Sequence, residues 1–428
     1  MHVEKKELPK SQVELTVELS VDEFKPYILA GAAKVSREVK IDGFRPGNVP
    51  YEILKKKIGE MTILEEASRI AIDKTIDKVF REHVKGQPVG SPKVDITKIA
   101  PGNPLVYKIV IAILPAVTLG EYKDLKVKQK KATVEAEETD RMMNEIREMK
   151  VKEVLVDREI KDGDKVLTDI NMFLDKVPVE GGQGKGAAVV IGKNYVVPGF
   201  DKKILGMKKG ETREFSLPYP KDHHMKNLAG KMIEFKAKVN EVYERVLPEL
   251  NDELAAGFGL KNMEELTTNI KKSLEEQKKR EAEQSAEKEM LEKLVGKARF
   301  GDMPEVLIEH EANTMLAELE QTVTERGGKF EDYLSSLGKS KEQLTLDLLP
   351  EAVKRVKTSL LVREVAEAEK IRVEASEVEK NVEEMKKQYK DHKDLAGRFD
   401  TPEYRSYILN VLTSRKVIDK LREWNIVN

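Results

Sequence analysis

A short, rigid loop near the start of the chain carries the side chains best suited to bind a partner. The loop has the sequence Gly43-Phe44-Arg45-Pro46-Gly47-Asn48-Val49-Pro50. Its two glycines permit a sharp reversal of the backbone, and its two prolines stiffen the segment between them. Phe44 and Arg45 are left at the tip, where a ring and a guanidinium can dock against another molecule. This pattern predicts a binding loop.

The residues around this loop are mostly basic. Between positions 34 and 57 there are seven basic and three acidic residues, although the whole chain has a net charge of -1. The basic residues are Lys34, Arg37, Lys40, Arg45, Lys55, Lys56 and Lys57. Positive charge beside an aromatic ring would attract RNA or a ribonucleoprotein surface. The alternative is a tight turn between two helices with a solvated basic face.

Other candidate sites have weaker patterns. The glycine-rich run Gly181–Gly186 has no Ser or Thr after its Gly-Lys pair, so it does not match a phosphate-binding loop, and a flexible hairpin tip explains it. His223 and His224 are adjacent, but no further metal-ligand spacing supports them, so we assign them to a surface loop. With no Cys in the chain, disulfides, thiol nucleophiles and thiolate metal sites are excluded. We expect no cofactor and no metal.

The length and composition indicate a soluble protein of several domains. A chain of 428 residues typically forms two to four domains. Charged residues make up 36% and aromatic residues 5%, which is typical of elongated helical proteins with much solvated surface. The start of the chain is charged, unlike a signal peptide, and no apolar run is long enough to span a membrane. We therefore expect a cytoplasmic protein with no membrane partner.

The first 116 residues mix strand and helix patterns. Val13–Leu19 alternates apolar and polar residues, which predicts a strand with one buried face. Ser20 and Glu23 then have the spacing of a helix capping box, followed by a helical apolar stripe. A second helical pattern extends from about Pro50 to Phe80. Two predicted strands close the region, near Val89 to Ile96 and Leu105 to Leu114, and the second is apolar enough to be buried on both faces.

The rest of the chain divides into three segments by composition. Residues 117–150 are charged and read as a linker, strand-like near residue 125 and helical from about residue 134. Residues 151–246 combine many glycines with short β-like runs, which predicts a small β-rich domain. Residues 247–428 are almost entirely helical, with breaks near residues 301–304, 327–328, 337–338 and 401–402. The predicted fold class is thus multidomain α+β, with an elongated all-α C-terminal domain.

The loop at residues 43–50 resembles the G-F-R-x-G-x-x-P loop of trigger factor, the bacterial chaperone that docks beside the ribosomal exit tunnel. It also lies between two helices of an N-terminal α+β region, as in that family. The resemblance implies a ribosome-binding site in which Phe44 and Arg45 contact a ribosomal protein and ribosomal RNA, while the flanking residues shape the turn. The predicted ribosome-binding residues are Gly43, Phe44, Arg45, Pro46 and Gly47.

A second segment, residues 195–215, resembles the V-P-G-F and G-M-x-x-G-E motifs of FKBP-type prolyl isomerases. Prolyl isomerisation needs no acid, base or nucleophile, because its barrier of roughly 18–20 kcal/mol comes from the partial double bond of the peptide. An apolar pocket can lower that barrier by favouring the twisted, less polar amide. The resemblance implies an apolar catalytic pocket formed by Val196, Val197, Phe200, Ile233 and Phe235.

Several positions depart from the FKBP pattern. Ile170, Val179, Ala187 and His223 stand where that family has pocket aromatics. A pocket with fewer rings grips a proline ring less well. The sequence therefore predicts a prolyl isomerase domain whose activity is weak or absent.

Methionines recur among the charged helices of the C-terminal segment. They are Met263, Met290, Met303, Met315 and Met385. Flexible thioether side chains suit a surface that binds many unrelated apolar segments. The alternative for each methionine is that it packs behind an amphipathic helix.

The resemblance covers essentially the whole chain, since Leu247-Pro-Glu-Leu also matches the start of the helical domain of trigger factors. It implies an ATP-independent chaperone whose helical cradle shields nascent and unfolded polypeptides near the ribosomal exit tunnel. It also allows a homodimer when the protein is free of the ribosome. One alternative is a freestanding FKBP-type prolyl isomerase with helical dimerisation arms. Another is a structural adaptor that binds RNA through the basic loop.

Overall fold

The computed structural model describes residues 1–220, 228–389 and 397–427. Its internal contacts form two compact units, one of residues 1–130 with 284–428 and one of residues 131–283. The multidomain α+β class expected from the sequence is confirmed. The boundaries at residues 116, 150 and 246 stay predictions. The contacts add that the N-terminal region and most of the helical region belong to one unit.

The N-terminal region is a four-stranded antiparallel sheet with three helices, and the strand order is β1-β2-β4-β3. Its elements are β1 (His2–Leu8), β2 (Gln12–Leu19), α1 (Val21–Glu38), α2 (Tyr51–Ile58), α3 (Glu60–His83), β3 (Pro88–Lys98) and β4 (Leu105–Ile113). The predicted strand at Val13–Leu19 is confirmed, and its apolar residues lie in the core. The capping box of Ser20 and Glu23 is also present at the start of α1.

Two predictions for this region were wrong. The single helical pattern from Pro50 to Phe80 is two helices, because the backbone at Gly59 has a φ of 93° and cannot continue a helix. Strand β4 is not buried on both faces. Buried and half-buried residues alternate over most of its length, so one face covers the core and the other is only partly covered.

Helices α1 and α3 approach each other closely at Gly31. A Cβ built on Gly31 would lie 2.7 Å from the backbone nitrogen of Ala67 and 2.9 Å from its Cα. We expect Gly31→Ala to lower the free energy of unfolding by about 1–3 kcal/mol, because the two helices must separate to admit the methyl group. This loss exceeds the gain in helix propensity of roughly 1 kcal/mol. Urea-induced unfolding followed by circular dichroism measures the change.

The matched control is Gly296→Ala, near the end of another helix. A Cβ on Gly296 meets nothing within 4 Å. The same substitution there should leave the stability unchanged or raise it. Equal effects at the two positions would show that the close approach at Gly31 does not limit stability.

The second unit contains the β-rich region together with the helices that precede and follow it in the sequence. Its elements are α4 (Ala136–Met149), β7 (Lys152–Val156), β8 (Lys165–Leu174), β9 (Val177–Val190), α5 (Phe200–Ile204), β10 (Thr212–Pro218), β11 (Met232–Val246), α6 (Asp252–Ala256) and the first part of α7 (Met263–Lys297). The five-stranded sheet has the order β10-β11-β8-β9, and β7 also pairs with β11. The apolar core lies between one face of this sheet and α5.

The glycine-rich run at residues 181–186 is not a hairpin tip. The turn between β8 and β9 lies earlier, at Asp175 and Lys176, which both have positive φ. The glycines are inside β9, where the pairing with β8 shifts register twice. Gly182 permits close packing there, since a Cβ would lie 2.9 Å from the Cβ of Met172. The run therefore shapes a bulged edge strand.

The C-terminal region is helical, as expected. After α7 come β12 (Arg299–Phe300), α8 (Glu305–Glu325), α9 (Phe330–Leu337), α10 (Lys341–Ala368), α11 (Ala375–Gln388), a 3₁₀ turn (Arg398–Asp400), α12 (Pro402–Asn425) and β13 (Ile426–Val427). The predicted breaks are confirmed. The sequence patterns missed the break between α10 and α11, where Lys370 has a φ of 53°.

The beginning of the predicted linker is folded against the C-terminal region. Strand β5 (Val117–Thr118) pairs with β12, and β6 (Val127–Lys128) pairs in parallel with β13. The fully buried Asn425 joins these segments by donating to the carbonyl of Tyr122 and accepting from the N–H of Leu125, each at 3.0 Å. Residues about 300 positions apart thus form one core.

Trp424 and the methionines mostly have packing roles. Trp424 packs beside this core, with the Nζ of Lys123 4.4 Å from its ring centre. Met290 is fully buried, and Met263, Met303, Met315 and Met385 are half-buried. The thioether groups are therefore not the exposed apolar surface of the helices. In the described part of the chain, no helix is long and apolar enough to cross a membrane.

Candidate functional site

The loop between α1 and α2 presents its tip to solvent. Arg45 and Pro46 are exposed and Phe44 is half-buried. Gly43 and Gly47 have φ angles of 86° and 89°, which favour glycine. The structure therefore places the five predicted docking residues together on one exposed turn.

The base of the loop is held by Ser36, a buried residue on α1. The carbonyl of Ser36 accepts from the N–H of Gly47 at 2.7 Å, and its Oγ accepts from the N–H of Val49 at 3.2 Å. Val49 also packs on a small apolar cluster centred on Leu54. The sequence interpretation missed Ser36, although a serine beside Val35 on a buried helix face was a usable signal. These two hydrogen bonds attach the end of the loop to α1.

Some of the basic residues near the loop form ion pairs with nearby acidic residues. Lys34 pairs with Glu66, and the Nζ of Lys55 lies 2.8 Å from the Glu60 carboxylate. The hydrogen bond to Glu60 raises the pKa of Lys55. Lys56 and Lys57 are exposed. Of the three consecutive lysines at positions 55–57, these two are the more accessible.

The five residues predicted for the prolyl pocket lie in one apolar cluster of the β-rich region. Val197, Phe200, Ile233 and Phe235 are buried, and Val196 is half-buried against them. Gly199 adopts a φ of 91°, so the chain turns sharply into α5 and directs Phe200 inward. Ile233 and Phe235 project into the cluster from alternate positions of β11. Of the five, Val196 has the most accessible side chain.

A third ring completes an aromatic group that the sequence interpretation missed. The ring centre of Phe215 lies 5.4 Å from that of Phe200 and 5.8 Å from that of Phe235. The Phe200 and Phe235 rings are 5.6 Å apart and meet edge to face. Phe215 is directly opposite Phe235 in the pairing of β10 with β11. The alternation of the apolar residues Phe215 and Leu217 with polar residues was the sequence signal that could have identified Phe215.

Three of the four residues predicted to stand in place of family aromatics lie in the same cluster. Ile170 is buried there, and Val179 and Ala187 are half-buried against it. His223 lies outside the described residues. On the same strand as Ile170, Asp169 accepts hydrogen bonds from the N–H of Gly186 and from Asn240, and these lower its pKa. Asp169 thus ties the bulged β9 to β8 and β11.

The helices of the C-terminal region expose apolar side chains. Large exposed apolar residues occur on α9, α10 and α12; they are Leu337, Leu346, Tyr407, Leu409 and Val411. In addition, a cavity of about 900 Å³ lies between α7, α8 and α10, with Leu291 and Val295 in its lining and charged residues around them. Such surfaces fit binding of apolar polypeptide segments.

Comparisons with known proteins match all three regions. The family model described as "Bacterial trigger factor protein (TF)" matches residues 1–146, and that described as "Bacterial trigger factor protein (TF) C-terminus" matches residues 262–423. Residues 156–240 match the family "FKBP-type peptidyl-prolyl cis-trans isomerase". The curated trigger factors of Geobacillus sp. (strain WCH70) and Geobacillus kaustophilus (strain HTA426) are each 33% identical over 430 residues, covering 99% of both chains. The chain belongs to the trigger factor family.

A solved structure was also similar. It is described as "Promiscuous Substrate Recognition in Folding and Assembly Activities of the Trigger Factor Chaperone", and it aligns at 23% identity and a TM-score of 0.49 over 99% of each chain. A likeness of that size carries no conclusion about function.

As a trigger factor, the protein is a chaperone with an FKBP-type prolyl isomerase domain. Matches to trigger factor models on both sides of this domain favour the chaperone over a freestanding isomerase. Family membership implies interaction with ribosomes and nascent chains. Among residues 1–220, 228–389 and 397–427, no group of three acidic or histidine side chains could hold a metal ion.

Proposed function

We propose that this trigger factor docks on the ribosome near the polypeptide exit tunnel through the loop at residues 43–47 and shields emerging apolar segments with its C-terminal helices. Phe44 and Arg45 are the main contacts, to a ribosomal protein and ribosomal RNA, and Lys56 and Lys57 add phosphate contacts. The exposed, anchored tip of the loop supports this role. The protein works in the cytoplasm, where ribosomes translate.

The observation that carries the shielding function is the set of large apolar side chains exposed on α9, α10 and α12. Contiguous apolar patches on the surface of a soluble protein commonly mark a site that binds another chain. Many weak contacts release a client without nucleotide hydrolysis, because each one breaks quickly. Client binding is therefore independent of ATP.

Suppression of aggregation tests the shielding function. We expect the unmodified protein, without nucleotide, to slow the aggregation of a chemically unfolded client measured by light scattering. The double variant Leu346→Glu, Tyr407→Glu should need roughly tenfold more protein for equal protection, since two desolvated apolar contacts are lost.

The matched control is Met61→Glu, which changes an exposed apolar residue on α3 in the N-terminal region. It should protect the client as well as the unmodified protein does. Equal protection by the Leu346→Glu, Tyr407→Glu variant would place client binding elsewhere. A protective effect that required ATP would contradict the proposed mechanism.

The apolar cluster around Phe200 catalyses the isomerisation of prolyl bonds in the client. In this proposal a client proline contacts Val196 at the accessible side of the cluster, while Val197, Phe200, Ile233 and Phe235 support it from the interior. Activity is weak because Ile170, Val179 and Ala187 offer no rings. A homodimer of the free protein stays a prediction that sedimentation velocity would test.

A further inference from the structure

The five-stranded sheet of the β-rich region has one edge strand that is less protected than the other edges. Strand β7 pairs with β11 through Val242 to Val246, on the side opposite β8 and in line with β10. In the described part of the chain β11 is its only strand partner. Alternate backbone N–H and C=O groups of β7 therefore point away from the sheet without a strand to accept them.

The other two edges are blocked. Strand β9 carries Pro178, four glycines and two shifts of register. Strand β10 exposes only polar residues and the terminal Pro218, and its Glu214 is ion-paired with Lys236. Prolines, bulges and charges are the devices that prevent another chain from adding to a sheet. Strand β7 has no proline, glycine or bulge, and its two charged residues, Lys152 and Glu153, occupy its first two positions, so that its last three residues are all apolar.

Strand β7 also exposes an apolar residue on each face. Val154 is 50% exposed and lies opposite Glu244, while Leu155 is 55% exposed and lies opposite Tyr243. Because successive side chains of a strand point to opposite faces, an added strand would have an apolar neighbour on both of its faces. The edge thus offers main-chain hydrogen bonds together with apolar contacts.

A cavity at one end of β7 extends this surface. It has a volume of about 430 Å³, and its lining includes Lys150, Lys152, Leu247, Glu249 and Glu253. Two lysines and two glutamates leave no net charge to select an acidic or a basic partner. Leu247 and the nearby Leu250 are exposed. Recognition here depends on backbone and apolar side chains, and it tolerates many sequences.

We propose that β7 is a second client-binding site, at which an extended apolar segment of an unfolded polypeptide adds as an edge strand. The inference deepens the proposed chaperone function and rests on it. A second copy of the chain is a poorer occupant, because a five-residue edge is far smaller than the roughly 20–30 residues a side of a stable interface. Brief pairing of this size suits a client that must be released.

Hydrogen exchange tests the proposal on the full chain. The probe is a 12-residue synthetic peptide of alternating apolar and neutral polar residues, and its counterpart carries proline at two central positions. At a peptide concentration about ten times the Kd, we expect the outward amides of residues 152–156 to exchange about tenfold more slowly. The proline peptide should give no protection there, because it lacks the donors that pair with the edge.

A variant tests the same edge by affinity. Val154→Lys with Leu155→Lys should weaken peptide binding about tenfold, because both apolar contacts with the added strand are lost and two positive charges are placed on the edge. The matched control, Val177→Lys with Met232→Lys, adds the same charge at exposed apolar positions off β7 and should change the Kd less than twofold. If the β7 variant fails to fold, the exchange experiment on the unmodified protein still tests whether the peptide binds at β7.

The outcomes separate this inference from the proposed function. Peptide protection confined to the C-terminal helices would overturn the β7 site and leave the chaperone function intact. A peptide that binds nowhere would overturn both. Protection of residues 152–156 that grows with protein concentration and needs no peptide would identify a second copy as the occupant and overturn the client assignment.

Discussion

The double variant Phe44→Ala, Arg45→Ala should lose co-sedimentation with ribosomes, with its affinity lowered at least about 30-fold. Aromatic and arginine side chains at the centre of an interface commonly contribute 2 kcal/mol or more, and 2 kcal/mol corresponds to about 30-fold. Both side chains lie at the tip of the anchored loop. Neither is part of a buried core cluster, so the variant should remain folded.

The matched control for this experiment replaces another exposed aromatic and basic pair. Tyr195→Ala with Lys202→Ala removes similar groups from the β-rich region. That variant should sediment with client-free ribosomes as the unmodified protein does. If the Phe44→Ala, Arg45→Ala variant sediments with ribosomes as well as the unmodified protein does, the loop is not the docking site.

Phe200→Ala should lower the free energy of unfolding of the β-rich region by about 3–5 kcal/mol. Phe200 is fully buried and contacts both Phe215 and Phe235, so truncation leaves a cavity at the centre of the cluster. Phe235 is only 1% exposed and should behave similarly. Alanine at either position therefore tests folding as much as catalysis.

Val196→Ala separates the two effects. Its side chain is half-buried at the accessible side of the cluster, so the loss of stability should stay near 1 kcal/mol. Isomerase activity, measured as acceleration of proline-limited refolding, should fall several-fold. Unchanged acceleration would show that a client proline does not contact Val196. No acceleration by the unmodified protein would mean that the missing rings have silenced the pocket.

Structural features that depend on a few neighbouring residues were predicted correctly from the sequence. The capping box at Ser20, the alternating strand at Val13–Leu19 and most breaks between the C-terminal helices depend on local hydrogen bonds and periodicity, and the structure has them. The break at Gly59 was missed because glycine is tolerated within a helical pattern, and only its positive φ shows that the helix stops. The glycine run in β9 was misplaced for a related reason, since the turn formed at Asp175 and Lys176 without glycine.

The sequence by itself determined the order of the domains and the two motifs, because each motif is a contiguous run whose residue types carry its chemistry. The tertiary structure decided which of those residues are accessible. It buried Phe200 and Phe235, anchored the loop at residues 43–50 on Ser36 and left the outer side of β7 without a strand partner among the described residues. It also joined residues 117–128 to the C-terminal region, at residues 299–300 and 426–427. Burial and pairing depend on contacts between residues far apart in the chain, which no local pattern records.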